Sequence, residues 1–168
     1  MDLLPDESFE PRLAPGTVLR GRFAIDRFVR PVAWGEVYAG GDATDGKPVH
    51  IKLIAREFVT QSPVRIRLQQ DGAIAAQLDH KNISAHYGFF TDGENAFTAG
   101  EPGDGPTLRE MLDKKQEGGR AFSLKGAFNI ATHLCNALEH AHAAMPHGLL
   151  SLDTVHVNAA GRVKIVDF

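Results

Sequence analysis

Apolar and polar residues alternate over residues 22–28 (RFAIDRF), a pattern that predicts a half-buried strand. Residues 35–40 (GEVYAG) and 48–54 (PVHIKLI) predict two more, joined through a turn at Asp45-Gly46, where Gly accepts the positive φ that a tight turn requires. Ser62-Pro63 then opens a helix: Ser can cap free N–H groups, and Pro is tolerated in the first turn. Val64, Leu68, Ala75 and Leu78 recur at roughly helical spacing, although Gly72 weakens the segment. Residues 83–90 and 95–99 predict two further strands around a turn at Asp92-Gly93. From there the pattern becomes helical. Thr107 and Glu110 have the spacing of a capping box. Ser123 opens a longer helix with an apolar stripe of Ala127, Ile130, Ala131, Leu134, Leu138 and Ala141. Residues 154–157 and 162–166 predict a closing hairpin, with 158–161 as its turn. The order is five strands with one inserted helix, two helices and a small hairpin, which is an α+β class.

Composition narrows this picture modestly. The 168 residues suffice for one domain with a proper core, or for part of a larger one. With 43% hydrophobic and 23% charged residues, the chain reads as an ordinary globular protein. A net charge of −3 without a dense Lys/Arg patch argues against nucleic acid as a partner. The single cysteine, Cys135, excludes an intramolecular disulfide and fits a reducing, cytoplasmic compartment. No apolar run approaches the roughly 20 residues needed to span a bilayer. Residues 1–15 are acidic and contain proline, without the character of a signal peptide, and are expected to be a flexible tail.

Several strings carry a more specific signal. They are WGEVYAG at 34–40, VHIK at 49–52, LDHKNI at 78–83, His147-Gly148-Leu149, and Val166-Asp167-Phe168. In this order and at these spacings they resemble the eukaryotic-type (Hanks-type) Ser/Thr protein kinase family, particularly its bacterial members. They are similar to the end of the Gly-rich loop, the V-A-I-K strand, the L-x-H-P-N-I segment, the place of H-R-D, and the start of D-F-G. The resemblance implies a kinase-like N-lobe over residues 16–101, with a five-stranded antiparallel sheet and one helix. It also implies a partial C-lobe over 102–168, with two helices and a β-hairpin. In the family the chain continues past D-F-G into helices that cover the long helix, so the resemblance implies either a fragment with an uncovered apolar surface or a naturally short domain that buries this surface on itself or another subunit.

Phosphoryl transfer needs positioned phosphates, a Lys–Glu pair, metal-holding Asp and Asn residues, and a catalytic Asp. The resemblance puts the first two glycines of the phosphate loop at Arg30 and Val32, with Pro31 between them. Val32 adds a branched side chain and Pro31 lacks an N–H, so the stretch is either a plain hairpin turn or a reshaped lid to which Arg30 supplies charge. Lys52 matches the phosphate-contacting Lys, and its partner falls on Asp71, one methylene shorter than Glu. That pair is either an ordinary ion pair or one poised for nucleotide. Aligned on Gly161 and Asp167, the catalytic Asp position falls on Leu149, the catalytic-loop Lys on Ser151, and the metal-binding Asn on Thr154. A rival register, with Asp153 as base and Asn158 as metal ligand, would erase the β-branched strand at 154–157. Asn158 is therefore read as a turn residue and Asp153 as a solvated acid. Asp167 survives as a metal-capable carboxylate. Gly100, before Glu101, stands where the family carries a bulky side chain.

Other candidate chemistry is weak. His133, His140, His142 and His147 lie close in sequence but lack zinc-site spacing, and Cys135 reads as a small core or flank residue. The expectation is a pseudokinase: a catalytically inactive kinase-like domain acting as a protein-binding scaffold or regulatory module, with a protein partner or self-association. The alternative is an ATP/ADP-binding switch or a very weak atypical kinase, resting on a vestigial site of Lys52, Asp71 and Asp167. No cofactor is required by the first reading; the second needs ATP and Mg²⁺. An unrelated α+β domain is the third reading.

Overall fold

The computed structural model describes residues 9–168; residues 1–8, and with them the first part of the expected tail, lie outside the described residues. The chain forms two compact units, one from residues up to 73 together with 87–100, the other from 74–86 together with 101–168.

The first unit is built on a six-stranded sheet. Its strands are β1 (Val18–Leu19), β2 (Phe23–Val32), β3 (Gly35–Asp42), β4 (Pro48–Ile54), β5 (His86–Asp92) and β6 (Asn95–Gly100), in the order β1-β2-β3-β4-β6-β5. Neighbours from β1 through β4, and β4 with β6, pair antiparallel. The strand beyond the expected five is β1, whose two residues pair with Ala24 and Phe23 and are too few to show a period. The register gives the sheet two different faces. Phe23, Ile25, Tyr38, Val49, Ile51, Leu53, Phe97 and Ala99 form one buried apolar cluster. The cross-strand partners of the alternate positions, Val37, Lys52 and Thr98, lie on the opposite face.

The chain docks onto the sheet earlier than the sequence pattern suggests. Phe9 stacks on Phe28 with ring centroids 5.2 Å apart, and Leu13 is buried in the sheet's cluster. The Arg12 amide donates to Glu36 Oε2 at 3.0 Å, and the Leu13 amide donates to the Tyr38 hydroxyl oxygen at 3.1 Å. The Tyr38 hydroxyl in turn donates to Glu36. Burial and the bond to Glu36 push the Tyr38 pKa up, so the phenol stays a donor. Residues 9–15 are thus part of the fold: Leu13 is buried in the sheet's cluster, and the Arg12 and Leu13 amides add two donors to the Glu36–Tyr38 pair buried in β3.

A four-residue helix, α1 (Arg56–Val59), precedes α2 (Ser62–Ala75). Gly72, unfavourable for a helix, has a packing reason: a Cβ there would come within 2.9 Å of the Phe89 amide nitrogen. The glycine lets α2 lie directly against β5.

The second unit contains α3 (Leu108–Glu117), α4 (Leu124–His142), and a hairpin of β7 (Val155–Val157) and β8 (Val163–Ile165). The capping box at α3 forms in both directions, Glu110 N–H to Thr107 Oγ1 at 3.1 Å and Thr107 N–H to Glu110 Oε2 at 2.8 Å. Ser123 caps α4 through the Gly126 amide at 3.1 Å. Leu78, Ile83, Ala137, Ala141 and Ile165 form one buried cluster, and Val155, Val157 and Val163 a second. Ile83 is not in the strand expected at 83–90, which starts at His86; it bridges to Ile165 in parallel instead. Its apolar side chain is claimed by the second unit's core. Cys135 is exposed, not core, and Leu124 and Phe128 on the same helix are 76% and 64% exposed. Among the described residues, no helix is long and apolar enough to cross a membrane.

Candidate functional site

The polar face of the sheet carries the first candidate. In β2, β3, β4 and β6, Arg30, Val37, Lys52 and Thr98 are successive cross-strand partners, so all four project to one side. Val37 is buried and Lys52 half-buried beside it. Burial first, and then the positive charge of Arg30, lower the Lys52 pKa to about 7. An ammonium with this pKa is poised between charged and neutral at physiological pH. The same face carries His50 opposite Gly100, so the side chain missing at Gly100 stands next to an imidazole.

The turn between β2 and β3 consists of Ala33 and Trp34 alone, because Val32 pairs with Gly35. Gly35 itself is obligatory: any Cβ would collide with the Leu53 carbonyl oxygen. The stretch forms a two-residue hairpin turn, a geometry that both readings of it share. Arg30 nonetheless faces the same side as Lys52, a juxtaposition that strand register decides and no motif announces.

Asp71 lies on α2, where the Arg67 Nε donates to its Oδ2 at 2.7 Å across one turn. Its carboxylate is therefore already engaged by a neighbour that linear motif matching did not consider.

The second unit holds the other candidates. His147 is buried, and its two ring nitrogens have fixed roles. Nε2 donates to the Val166 carbonyl at 2.8 Å, and Nδ1 accepts from the Leu149 amide at 3.2 Å. A carbonyl can only accept and an amide N–H can only donate, so the ring is the neutral Nε2–H tautomer. The Phe168 ring packs edge-on against His147, with centroids 4.5 Å apart. His147 thus grips both neighbours of Asp167. Asp167 has φ of +70°, a left-handed backbone unusual outside glycine but best tolerated by Asp and Asn. Such conformations persist where surroundings over-determine them, and the hydrogen bond to Val166 and the ring contact with Phe168 do so here. The sequence reading located His147 but not this role.

Leu149, which the sequence resemblance would put at the place of the catalytic Asp, is 64% exposed. Ser151 and Thr154 hold each other. The Ser151 amide donates to Thr154 Oγ1 at 2.9 Å, and that hydroxyl donates to the Ser151 carbonyl at 3.1 Å. The Thr154 oxygen is thus occupied as both donor and acceptor. Asp153 is half-exposed, 3.5 Å from the Arg109 guanidinium. Asn158 is a turn residue: its Oδ1 accepts from the Ala160 and Arg162 amides at 3.0 and 2.9 Å. The histidines do not converge. His80 and His140 stack at 5.3 Å, and no three His, Cys, Asp or Glu side chains among the described residues are placed to hold a metal.

Comparison with known proteins gives this arrangement a family. The sequence profile described as protein tyrosine and serine/threonine kinase matches residues 25–168. The serine/threonine-protein kinase PknA of Mycobacterium tuberculosis is 26% identical over 159 residues, covering 91% of this chain and 36% of PknA. Aurora-2 of Arabidopsis thaliana, another serine/threonine-protein kinase, is 26% identical over 136 residues, covering 80% of this chain and 47% of Aurora-2. The chain thus spans less than half the length of these relatives. The PknI kinase domain of M. tuberculosis superposes with a TM-score of 0.79 at 22% identity, covering 93% of this chain and 62% of that one. With its six-stranded sheet, inserted helix and helical second unit, this chain belongs to the protein tyrosine and serine/threonine kinase family.

Proposed function

We propose that this chain is a kinase-like domain without phosphoryl transfer that serves as a protein-binding scaffold or regulatory module. The observation that carries the reading is the loop from His147 to Thr154. His147 is bonded at both nitrogens and Leu149 is exposed, and the register read from the sequence puts that leucine in the place of the general base. A leucine cannot accept a proton, and loss of a general base typically slows a reaction roughly 10²–10⁴-fold. The residues fit a metal poorly, since the Thr154 hydroxyl is committed to the Ser151 backbone on both its donor and acceptor sides. The test is transfer of labelled phosphate from ATP to a generic protein substrate and to the chain itself. No transfer above background is expected, and turnover comparable to a Leu149→Asp variant would sink the reading.

A second reading, a nucleotide-binding switch, has one observation in its favour. Lys52 and Arg30 face the same side of the sheet, and the charge of Arg30 disfavours that of Lys52. An anion between them would relieve that repulsion and draw a proton onto Lys52. A thermal-shift titration with ATP and ADP, with and without Mg²⁺, tests it. Ligand at about 100 times its dissociation constant stabilises by roughly 2.7 kcal/mol, a shift of several degrees for a domain of this size. A shift abolished by Lys52→Ala supports the switch; no shift in a folded sample leaves the scaffold.

A further inference from the structure

An open depression of about 480 Å³ in the second unit is lined by Lys81, Asn82, His133, Arg162 and Lys164. None of these residues belongs to the site described above. The segment after α2 supplies Lys81 and Asn82, α4 supplies His133, and the second arm of the hairpin supplies Arg162 and Lys164. Three cations meet here. Lys164 is neutralised locally, with its Nζ 2.6 Å from Glu101 Oε2. Lys81 and Arg162 have no ion-pair partner among the described residues. The Arg162 backbone is held by two bonds to Asn158, which fixes where its guanidinium starts from.

Two buried polar atoms of the lining lack hydrogen-bond partners. Asn82 is only 2% exposed, and its Nδ2 donates to the Val163 carbonyl at 2.6 Å, which settles the orientation of the amide. Its Oδ1 has no partner, nor has Nδ1 of His133. Unsatisfied buried groups in one depression call for a ligand or bound water that completes them. The two unpaired cations set its charge.

We propose that this depression binds a phosphoryl group, borne on a phosphorylated side chain or free as inorganic phosphate. A phosphate monoester carries about −1.5 to −2 charges at neutral pH, which matches Lys81 and Arg162 together. The planar guanidinium suits two phosphate oxygens at once, and the lysine supplies a point charge. His133 Nδ1 and Asn82 Oδ1 are both buried, so the anion reaches them through an ordered water rather than directly. A carboxylate would meet only half of the unpaired charge. The inference stands independently of whether Lys52 binds nucleotide.

The experiment is a titration of the isotopically labelled 168-residue chain, once with inorganic phosphate and once with a phosphoserine peptide. The His133 ring and Asn82 amide resonances are followed. Wild type, Lys81→Ala, Arg162→Ala and the double variant are compared; both residues are exposed, and circular dichroism checks that each variant is folded. Saturable shifts at both reporters are expected, weakened about tenfold or more by each substitution and reduced by added salt. Tighter binding of the peptide assigns the phosphoryl group to a protein; equal or weaker binding assigns it to the free anion. Either confirms the site. Absence of saturable shifts with both ligands, or shifts unchanged in the double variant, overturns it. ATP also carries phosphoryl groups, and the same variants separate the two sites: a nucleotide shift arising here survives Lys52→Ala and vanishes in the double variant.

Discussion

Lys52 and Asp42 show how burial and partners lower two pKa values in one sheet for opposite reasons, by disfavouring one charge and favouring the other. The folded-state pKa of Lys52 is about 7, below the ordinary value of 10.5, because burial and then Arg30 disfavour its charge. Between these values the unfolded chain holds a proton that the folded chain does not, so this residue makes stability rise with pH from about 7 toward about 10. Denaturant unfolding across that range is expected to show the rise in wild type and not in Lys52→Met, with a difference on the order of a few kcal/mol. Asp42 also makes stability rise with pH, but in the acid range and because its charged form is favoured. Arg22 donates to it three times at 2.7 to 3.1 Å, and Thr44 adds an amide and a hydroxyl. These bonds, the Arg22 ones first, hold the Asp42 pKa well below the usual carboxylate range. The stabilisation is present above the unfolded pKa near 3.9 and is lost as pH falls below it toward the folded value. Asp42→Ala is expected to destabilise by about 2 kcal/mol or more at pH 7 and by progressively less in acid, measured by the same unfolding curves.

At the level of elements, two local features have separable consequences. Gly35 opens β3 at a point where a Cβ would strike the Leu53 carbonyl of β4. Gly35→Ala is expected to destabilise by about 2 kcal/mol or more, since backbone must move to make room. Thr107 matters through hydrogen bonding instead. Its hydroxyl and the Glu110 carboxylate each satisfy an amide at the start of α3. Thr107→Ala is expected to lower stability by about 1 kcal/mol, and Thr107→Ser to retain most of it. Thermal unfolding of the three variants checks both claims.

For the whole molecule, apolar surface is divided between buried clusters and an exposed helix face. Leu124 and Phe128 of α4 are largely exposed, one turn apart, on the side away from Ala137 and Ala141. Side chains this exposed contribute little to folding. The double variant Leu124→Ser, Phe128→Ser is expected to unfold within about 0.5 kcal/mol of wild type, while its sedimentation shows less self-association if α4 is a contact surface. By contrast, Ile165→Ala removes a side chain buried in the second unit's core and is expected to lose about 2–5 kcal/mol.

The sequence by itself determined the strands with strong alternation, both capped helices, the closing hairpin, and the family, because those signals are local or lie in short ordered strings. It also placed Asn158 in a turn, since β-branched residues before it demand a strand. Only the tertiary structure decided what depends on distant partners. Ile83 left its expected strand because the second unit's core offered it burial beside Ile165. Residues 9–13 joined the fold because Leu13 is buried in the sheet's cluster and the Arg12 and Leu13 amides find acceptors on Glu36 and Tyr38. Arg30 and Lys52, 22 positions apart in sequence, came to share a face through the register of three strands. Lys81, His133 and Arg162 met in one depression through packing alone. Spacing along a chain encodes periodicity and turns; it does not encode which buried polar group will need which remote partner, and the second kind of information places the chemistry.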